Sequence, residues 1–505
     1  MRPVCSLDEM AAIEARAHRH VPEPELINRA GAALARVVLA RMGGGYGRRA
    51  VVVAGKGHNG DDGRAAARHL RRRGVQVDEV DAALAQDSAQ LLEGKDAARG
   101  CDVVIDAAYG TGFHGRYHAP LFPPGVPVIA ADIPSGLSGQ DGSAGDGAVM
   151  ADATVTFGAL KPGLLLGRGP ELAGQVHVAS IGLDVPRCTD ALLPSLGPDP
   201  SLLASRPNRP LDPSGEVVNQ ECMTWLVDDH DVEVALPSRR RSGHKWDTAV
   251  AVIAGSPGMM GAAQMCSEGA ARGGAGMVRL GVPGADPREL VQSEVVASAL
   301  NGSGWAEEAR SWTARCRAVV VGPGLGRSPG VTEGVCGVLD SSPVPIVLDA
   351  DAINAIADPR HPERTAKLIQ SSSAGVVLTP HAAEFARLAG HEVGSDPLAS
   401  VRDLATRTGA VVLLKGSTTI VAEPGGVALM VTAGSSRLAT AGTGDVLTGL
   451  IGAFLARGLR PLPAAALAAH VHGRAATMGR AEGLVAGDLP ALIADWLSAL
   501  RGVGL

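Results

Sequence analysis

Short apolar runs rich in Val, Ile and Ala alternate along most of the chain with stretches rich in Ala, Leu and Arg. The apolar runs have the length of buried strands, and the longer stretches have the composition of helices. In the first half of the chain the pattern predicts helices at 7–19, 24–41, 64–73 and 86–99, and strands at 50–54, 102–106, 127–132, 153–157 and 176–179. Such alternation is typical of a mostly parallel sheet with helices on both faces.

The pattern lapses between about residues 186 and 219, where seven prolines fall in one stretch without periodicity. Because proline breaks helices and removes backbone donors, this stretch is predicted to be a linker. Further strands are predicted beyond it, at 249–254, 318–321, 345–349, 375–379, 411–414 and 419–422. We therefore predict an α/β fold with two domains, at residues 1–186 and 220–505, joined by a linker at 187–219.

The formal net charge of −6 and the isoelectric point near 6.2 argue against a nucleic-acid-binding protein, which would present a basic surface. No apolar run reaches the length of a membrane span, and the seven cysteines are scattered without a Cys-x-x-Cys pair. This use of cysteine is typical of a reducing compartment. We expect a cytoplasmic homo-oligomer that binds small molecules, and neither nucleic acid nor membranes.

Lysine is scarce in this chain, because nearly all of its basic residues are arginine. The six lysines are Lys56, Lys95, Lys161, Lys245, Lys367 and Lys415. Arginine cannot replace the compact ammonium group of lysine where that group is needed. Each retained lysine therefore indicates a candidate functional position.

The first candidate site begins with the glycine-rich segment Gly55–Gly63, which leads from a predicted strand towards a predicted helix. Free amides at such a turn bind anions in open α/β sheets. Polar side chains here and at the next two strand ends are Asn59, Asp106, Asp132 and Ser135. A single aspartate at a strand end more often caps a helix or forms a turn. Three such strand ends on one edge of a sheet favour a binding site.

The order of these segments resembles the NAD(P)H-hydrate epimerase family. In that family a Gly-x-Gly-Asn-Asn-Gly-Gly-Asp-Gly loop precedes Asp-x-x-x-Gly-Thr-Gly and Asp-Ile-Pro-Ser-Gly segments, which correspond here to 55–63, 106–112 and 132–136. The resemblance implies a Rossmann-like, doubly wound domain with K⁺ bound by Asn59, Asp106 and Ser135. It implies that Asp132 is the acid/base catalyst. It also implies that the hydrated dinucleotide is contacted by His58, Asn59, Gly60, Asp61, Asp62, Gly110, Thr111, Gly112, Phe113, His114, Gly115, Arg116 and Asp132.

Two positions of the loop depart from this pattern, because His58 replaces Asn and Asp61 replaces Gly. A carboxylate at position 61 weakens binding if it faces the dinucleotide phosphates, since like charges repel. If it faces the following helix, which is predicted to begin near Asp62, it is neutral or favourable. From the first alternative we predict a working but weakened epimerase.

The second half of the chain carries the segment Ala439–Gly449, in which small residues precede Asp445 and an apolar stretch. Backbone amides at the start of a helix, with one carboxylate beside them, would form an anion hole and a base for phosphoryl transfer. An ordinary capped helix is the alternative, because Thr and Asp are good N-caps. The run of small residues favours close approach to a ligand, and the motif resembles the ribokinase-like superfamily.

Other segments of this half resemble the ADP-dependent NAD(P)H-hydrate dehydratases over roughly residues 220–500. The companion segments are His244-Lys245, Gly255–Ala262, Gly322–Gly326, Asp349–Asn354, Pro380–Glu384 and Lys415–Thr419. The resemblance implies a ribokinase-like α/β domain whose hydrate contacts are Ala262, Gly326, His381 and Asp445. The implied nucleotide contacts are Lys415, Gly416, Ser417, Thr418, Thr419 and Gly444.

Together the resemblances imply an enzyme that repairs hydrated NADH and NADPH in two steps. The first domain would interconvert the R and S hydrates, and the second would dehydrate the S form with ADP as phosphoryl donor. Phosphorylation converts a poor leaving group into a good one, with Asp445 as base and Mg²⁺ as charge neutraliser. The alternative is a ribokinase-like kinase for a small vitamin-type alcohol, with the first domain as a non-catalytic Rossmann-like binding module.

Overall fold

The computed structural model describes residues 1–83, 100–112, 117–186, 222–289, 294–302 and 304–502. The chain divides into two compact units. Among the described residues, the first unit holds 2–186 and 222–223, and the second holds Met1 and 224–502. The predicted linker at 187–219 and helix at 86–99 lie outside the described residues. The boundaries of the two domains therefore stay a prediction.

The first unit is built on a parallel sheet with helices beside it. Its helices are Leu7–Ala17, Glu23–Met42, His58–Arg71 and Gly169–Leu172, with a 3₁₀ turn at Pro162–Leu164. Its strands are Arg2–Pro3, Arg49–Ala54, Gln76–Asp81, Val103–Ala107, Val128–Ala131, Ala153–Phe157 and Gln175–Ala179. The strands predicted in this half are confirmed to within two residues at each end.

Hydrogen bonding orders the sheet of the first unit as Gln76–Asp81, Arg49–Ala54, Val103–Ala107, Val128–Ala131, Ala153–Phe157 and Gln175–Ala179. Every neighbouring pair in this order is parallel. From the Arg49–Ala54 strand the chain first adds Gln76–Asp81 on one side and then adds the remaining strands, beginning with Val103–Ala107, on the other side. A crevice for ligands opens where the direction reverses, at the carboxyl ends of Arg49–Ala54 and Val103–Ala107.

The sequence pattern was wrong about two features of the first unit. It did not predict Gln76–Asp81, because this edge strand is polar and no residue in it is fully buried. It also placed the third helix too late, since the helix begins at His58. Asn59, Gly60 and Asp61 therefore lie in the first helical turn, and the Asp61 amide donates to the Gly57 carbonyl oxygen at 3.1 Å.

The second unit has a larger mixed sheet. Its strands are Thr224–Leu226, Ala249–Ile253, Met277–Pro283, Val296–Leu300, Ala318–Val321, Ile346–Leu348, Val376–Leu378, Val411–Leu414, Thr419–Ala422 and Ala428–Val431. Its helices are Asp229–Ala235, Met260–Arg272, Trp305–Thr313, Pro329–Ser341, Ala350–Ile356, Pro362–Gln370, Ala382–Ala389, Pro397–Thr408, Thr443–Ala456, Pro461–Met478 and Leu489–Leu500. Short 3₁₀ turns occur at Lys245–Thr248, Pro287–Glu289, Ser436–Leu438 and Ala486–Asp488.

In this sheet the hydrogen-bonded order is Thr224–Leu226, Ala428–Val431, Thr419–Ala422, Val411–Leu414, Val376–Leu378, Ile346–Leu348, Ala318–Val321, Ala249–Ile253, Met277–Pro283 and Val296–Leu300. Thr419–Ala422 is antiparallel to both of its neighbours, and the other pairs are parallel. The six predicted strands are confirmed. The pattern missed Val296–Leu300, for example, because only one residue of that edge strand is buried.

The helix Thr443–Ala456 packs unusually close to the helix Met260–Arg272. A β-carbon on Gly449 would stand 1.9 Å from the Cys266 carbonyl oxygen, and one on Gly269 would stand 2.3 Å from the Val446 oxygen. The two backbones therefore touch where these glycines lie. This contact fixes the position of a helix whose first turn carries Asp445.

Across the described part of the chain, no helix combines the length and the apolarity needed to span a bilayer.

The close helix crossing predicts a strong effect of Gly449→Ala on the second unit. The added methyl group overlaps the Cys266 carbonyl, and overpacking of this kind typically costs about 1–3 kcal/mol of folding free energy. Gly261→Ala is the matched control, because nothing lies within 4 Å of a β-carbon there. We expect thermal unfolding of the second unit to occur at lower temperature in Gly449→Ala only. Equal melting of both variants would contradict this packing.

Candidate active sites

The first candidate site lies where the strands Arg49–Ala54 and Val103–Ala107 end, and glycines shape it. A β-carbon on Gly55 would stand 1.9 Å from the Ala108 carbonyl oxygen, and one on Gly60 would stand 2.0 Å from the Gly55 oxygen. Any side chain at either position would separate these backbone segments. Glycine therefore allows the start of the His58–Arg71 helix to fold back against the next strand.

A cavity of about 800 Å³ opens at this edge of the sheet. Predicted contact residues that line it are His58, Asn59, Asp62, Gly110, Thr111, Gly112 and Asp132. Gly60 and Asp61 do not line it. Residues 113–116, which were also predicted as contacts, lie outside the described residues. A cavity of this size has room for part of a dinucleotide.

The three predicted K⁺ ligands lie at this edge. Ser135 donates from its hydroxyl to Asp106 at 2.6 Å and from its amide at 2.8 Å, so these two residues contact each other directly. Asp106 is fully buried, and burial raises its pKa to about 6 although the hydrogen bonds from Ser135 oppose the rise. Asn59 packs against Gly110, where a β-carbon would stand 3.3 Å from the Asn59 amide carbon. Among the described residues, neither amide atom of Asn59 has a hydrogen-bond partner, although both are buried.

Asp132 is held by a buried lysine that the sequence analysis did not place in the site. Lys161 donates from Nζ to Asp132 Oδ1 at 2.5 Å and is 3% exposed. Thr156 donates to the same oxygen at 3.1 Å. Asp132 also has a left-handed backbone with φ of 61°, which is rare for a residue with a side chain. The scarcity of lysine was the signal that pointed to position 161.

Further carboxylates surround Lys161. Asp62 is largely buried, and that burial raises its pKa to about 8, with a further contribution from the charge of Asp132. Burial and Asp132 also raise the pKa of Glu14, which lines the same cavity from the Leu7–Ala17 helix. The Asp62 carboxyl group can thus keep or release a proton close to neutral pH.

Of the two positions that depart from the family pattern, Asp61 lies outside the cavity and His58 lies at its edge. Asp61 Oδ1 accepts from Arg64 at 3.1 Å, and Arg64 also donates to the Gly55 carbonyl oxygen at 2.8 Å. His58 lies 2.9 Å from Glu23, with both side chains mostly exposed at the edge of the cavity. The geometry of Asp61 therefore supports the alternative in which its carboxylate stabilises the helix start. The predicted repulsion of phosphates finds no support in it.

The second candidate site lies at the first turn of the Thr443–Ala456 helix. Gly442 precedes the helix in a left-handed conformation with φ of 90°, which allows the chain to enter the helix sharply. Lys415 Nζ lies 3.7 Å from the point where a β-carbon on Gly444 would stand. Burial and the nearby Asp349 raise the pKa of Asp445 to about 7, while Lys415 opposes the rise. A carboxylate with such a pKa suits general base catalysis near neutral pH.

Hydrogen bonds join the predicted segments of the second site into one network. Lys415 donates from Nζ to Asp349 at 2.7 Å, and Thr448 donates to the other Asp349 oxygen at 2.6 Å. Burial alone would lower the pKa of Lys415, but Asp349 and Glu384 raise it above its ordinary value. Ala350, next to Asp349, has a φ of 48°. Its left-handed backbone marks the sharp turn from strand to helix at this point.

The remaining predicted hydrate contacts lie around this network. Gly326 has a φ of 75° and donates from its amide to Asp351 at 2.8 Å. Ala262 lies beside the same loop, since a β-carbon on Gly324 would stand 3.0 Å from the Ala262 methyl group. His381 caps the Ala382–Ala389 helix by accepting from the Ala383 amide at 3.1 Å.

Among the predicted nucleotide contacts, Lys415 belongs to the network, and Gly416, Ser417 and Thr418 form the turn between two strands. Thr419 opens the second of these strands. The Lys415 amide donates to the Pro380 carbonyl oxygen at 2.9 Å, which brings the turn next to His381. The turn and the Thr443–Ala456 helix start therefore lie on either side of the Lys415 ammonium group.

Models of two known families match the two halves of the chain. The family described as NAD(P)H-hydrate dehydratase matches residues 250–498, and the one described as YjeF-related protein N-terminus matches residues 23–163. A dehydratase structure from Bacillus subtilis, described as ADP/ATP-dependent and co-crystallised with ATP and Mg²⁺, is 28% identical. It covers 54% of this chain and 97% of its own length, with a TM-score of 0.46.

Relatives also match both halves together. The bifunctional NAD(P)H-hydrate repair enzyme Nnr of Mycobacterium tuberculosis is 37% identical over 492 residues, which cover 92% of each chain. The enzyme of the same name from Escherichia coli is 32% identical over 509 residues, which cover 92% of this chain and 88% of the relative. With similarity of this extent through both units, the chain belongs to the family of bifunctional NAD(P)H-hydrate repair enzymes.

Proposed function

We propose that the two candidate sites divide the repair of hydrated NADH and NADPH between them. The first site interconverts the R and S hydrates, and the second dehydrates the S hydrate with ADP as phosphoryl donor. The observation that carries this division is that each unit has its own carboxylate near a lysine, after a strand in the first unit and at a helix start in the second. These groups are Asp132 with Lys161 in one unit and Asp445 with Lys415 in the other.

In the first site Asp132 exchanges a proton with the hydrate while one bond of the carbon that bears the hydroxyl group breaks and re-forms on the opposite face, which inverts that carbon. Lys161 binds Oδ1 of Asp132, so the carboxylate is held in one orientation towards the cavity. A positioned acid or base typically accelerates a reaction about 10²–10⁴-fold. Asn59, Asp62 and the Gly110–Gly112 backbone contact the dinucleotide along the same cavity.

Asn59, Asp106 and Ser135 hold a potassium ion beside this cavity. Their oxygens suit a hard cation, and the buried Asn59 amide oxygen has no other partner among the described residues. When bound, the ion supplies positive charge that offsets the buried Asp106 carboxylate and attracts the substrate phosphates.

In the second site Asp445 accepts the proton of the hydrate hydroxyl. The hydroxyl oxygen then bonds to the terminal phosphorus of ADP, and the bond to the AMP oxygen breaks. Amides of 441–444 stabilise the charge that develops on the transferred phosphoryl group. The carbon–oxygen bond then breaks with loss of phosphate, and the neighbouring ring carbon loses a proton, so that the double bond of the reduced nicotinamide ring is restored.

The other predicted residues bind the two substrates of this step. Lys415–Thr419 and Gly444 contact the nucleotide, and Ala262, Gly326, His381 and Asp445 contact the hydrate. Mg²⁺ would neutralise phosphate charge when bound. Nothing in the geometry favours the alternative of a vitamin-type kinase, and the relatives are repair enzymes through both halves of the chain.

A cytoplasmic homo-oligomer stays a prediction, which light scattering and cell fractionation would check.

The division of labour predicts opposite effects of two conservative substitutions. Asp445→Asn should reduce ADP-dependent recovery of NADH by about 10²–10⁴-fold and leave R/S interconversion unchanged. Asp132→Asn should do the reverse, and asparagine tolerates the left-handed backbone at this position. Chiral chromatography of the hydrates and absorbance of NADH measure the two steps. Loss of both activities in either variant would contradict the separation.

The raised pKa of Asp445 predicts that the rate of dehydration falls on the acid side of its pH profile, which we call the acid limb. Asp445 accepts a proton only when ionised, so kcat/KM should fall about tenfold per pH unit below about 7. Asp351→Asn removes a negative charge that raises this pKa and keeps an oxygen to accept from Gly326. In that variant the limb should move to lower pH. A limb that stays in place would remove Asp445 from the role of base.

The cation site predicts that R/S interconversion depends on K⁺. Replacement of K⁺ by choline should slow the epimerase, while dehydration of the pure S hydrate is followed as the internal reference. Asn59→Ala should abolish the response of the epimerase to added K⁺, because it removes the unpartnered amide oxygen. Asp61→Asn, outside the cavity, should retain the response and serves as control. An unaltered response in Asn59→Ala would place the ion elsewhere.

A further inference from the structure

Two cysteines and one glutamate of the first unit come together away from the cavity. Cys5 precedes the Leu7–Ala17 helix, Glu9 lies in the first turn of that helix, and Cys222 is far away in the sequence. The two Sγ atoms and a carboxylate oxygen of Glu9 all lie within 4.8 Å of one another. Cys5 is fully buried, Cys222 is 8% exposed and Glu9 is half-buried.

We propose that Cys5, Glu9 and Cys222 bind a divalent transition-metal ion, for which Zn²⁺ is the best fit. Thiolate sulfur selects Zn²⁺ over Mg²⁺ or Ca²⁺, and a carboxylate oxygen is an accepted third ligand. Two sulfurs on a tetrahedral ion with bonds of about 2.3 Å stand about 3.8 Å apart. The observed grouping meets this requirement with small side-chain movements.

The surroundings of the cluster hold its ligands in place. Glu9 Oε2 accepts from the Ser6 amide at 2.7 Å, and Oε1 accepts from the Met223 amide at 3.2 Å, so its carboxylate is held towards Cys222. The Val4 carbonyl oxygen lies 3.5 Å from Cys222 Sγ, so a further oxygen atom lies beside the three proposed metal ligands. Such fixed outer contacts are typical of groups that orient metal ligands.

A redox role for the two thiols fits the geometry less well. Reactive cysteines are partly exposed and lie in electropositive surroundings, whereas Cys5 has no exposed surface and Glu9 stands beside it. A bound cation would instead offset the cost of burying one carboxylate and two sulfur atoms close to one another. Mutual approach of these three side chains is therefore better explained by an ion than by disulfide exchange.

The ion would fasten the start of the first unit next to its candidate site. The Cys5 amide donates to the Leu160 carbonyl oxygen at 2.8 Å, and Leu160 directly precedes Lys161. Cys5 also leads into the helix that carries Glu14. A bound ion thus stabilises the segments that position two residues of the cavity without touching the cavity itself.

Titration of the full-length chain with Co²⁺ tests the site. The chain is reduced, freed of metal with a chelator and titrated without oxygen. We expect one equivalent to give a thiolate-to-Co²⁺ charge-transfer band, which Zn²⁺ then removes. Ions at an oxygen-only Mg²⁺ site give no such band, so the two sites are distinguished.

Substitutions assign the ligands. Cys5→Ala and Cys222→Ala should each abolish the band, and Glu9→Gln should weaken binding at least about tenfold while an amide oxygen keeps the helix cap. Cys101→Ala is the matched control, because Cys101 is another buried cysteine of the same unit outside the cluster. It should retain the band.

A second readout guards against variants that fold poorly. Zn²⁺ should raise the unfolding temperature of the intact chain and of Cys101→Ala, but not that of Cys222→Ala. The proposal is overturned if the intact chain gives no charge-transfer band, or if the band survives in both Cys5→Ala and Cys222→Ala. A disulfide would also overturn the proposal. It would be shown if the reduced chain takes up no metal and if mild oxidation then removes both thiols and lowers the mass of the chain by two hydrogens.

Discussion

Direct contact between backbone segments, with no side chain between them, is the constraint on which both candidate sites depend. At the first site the Gly55 and Gly60 positions would collide with neighbouring carbonyl oxygens if either carried a β-carbon. At the second, a β-carbon on Gly322 would stand 1.8 Å from the Asp349 carbonyl oxygen. Because these contacts bring strand ends and helix starts together, amides and carboxylates converge there. This explains why a chain with 66 glycines gathers many of them directly after its strands.

Backbone strain is concentrated at the same two places. Among the described residues, the non-glycine residues with a left-handed backbone are Asp132 and Ala350. Such conformations typically cost about 1–3 kcal/mol each and persist only where the surroundings determine them. Asp132 is held by Lys161 and Thr156, and Ala350 follows Asp349, which is bound by Lys415 and Thr448. The strain directs each carboxylate to the ligand side of its sheet.

The two units use the same electrostatic arrangement on different folds. In each, carboxylates surround one lysine, and one carboxyl group has a pKa near neutral pH. Asp62 has this property in the first unit and Asp445 in the second. Arginine would be a poor substitute at Lys161, because its planar group needs more room than the buried ammonium has. The composition of the chain agrees, since two of its six lysines occupy these central positions.

The sequence by itself determined most of the buried strands, the glycine-rich turns after them and the residue types at the strand ends, because these depend on local periodicity and backbone freedom. It placed Asn59, Asp106 and Asp445 correctly at strand ends or helix starts for that reason. It missed the buried strands Thr224–Leu226, Met277–Pro283 and Ala428–Val431. It did not determine the edge strand Gln76–Asp81, whose polar pattern resembles a loop until a neighbouring strand supplies hydrogen bonds.

Only the tertiary structure decided which distant groups meet. It paired Lys161 with Asp132 and turned Asp61 towards Arg64, and it brought Cys222 to Cys5 and Glu9. These contacts depend on how strands are ordered in the sheet and on how chain segments far apart in the sequence pack. A pattern of hydrophobic positions carries no information about either, because it reports which face of an element is buried and not what that face meets.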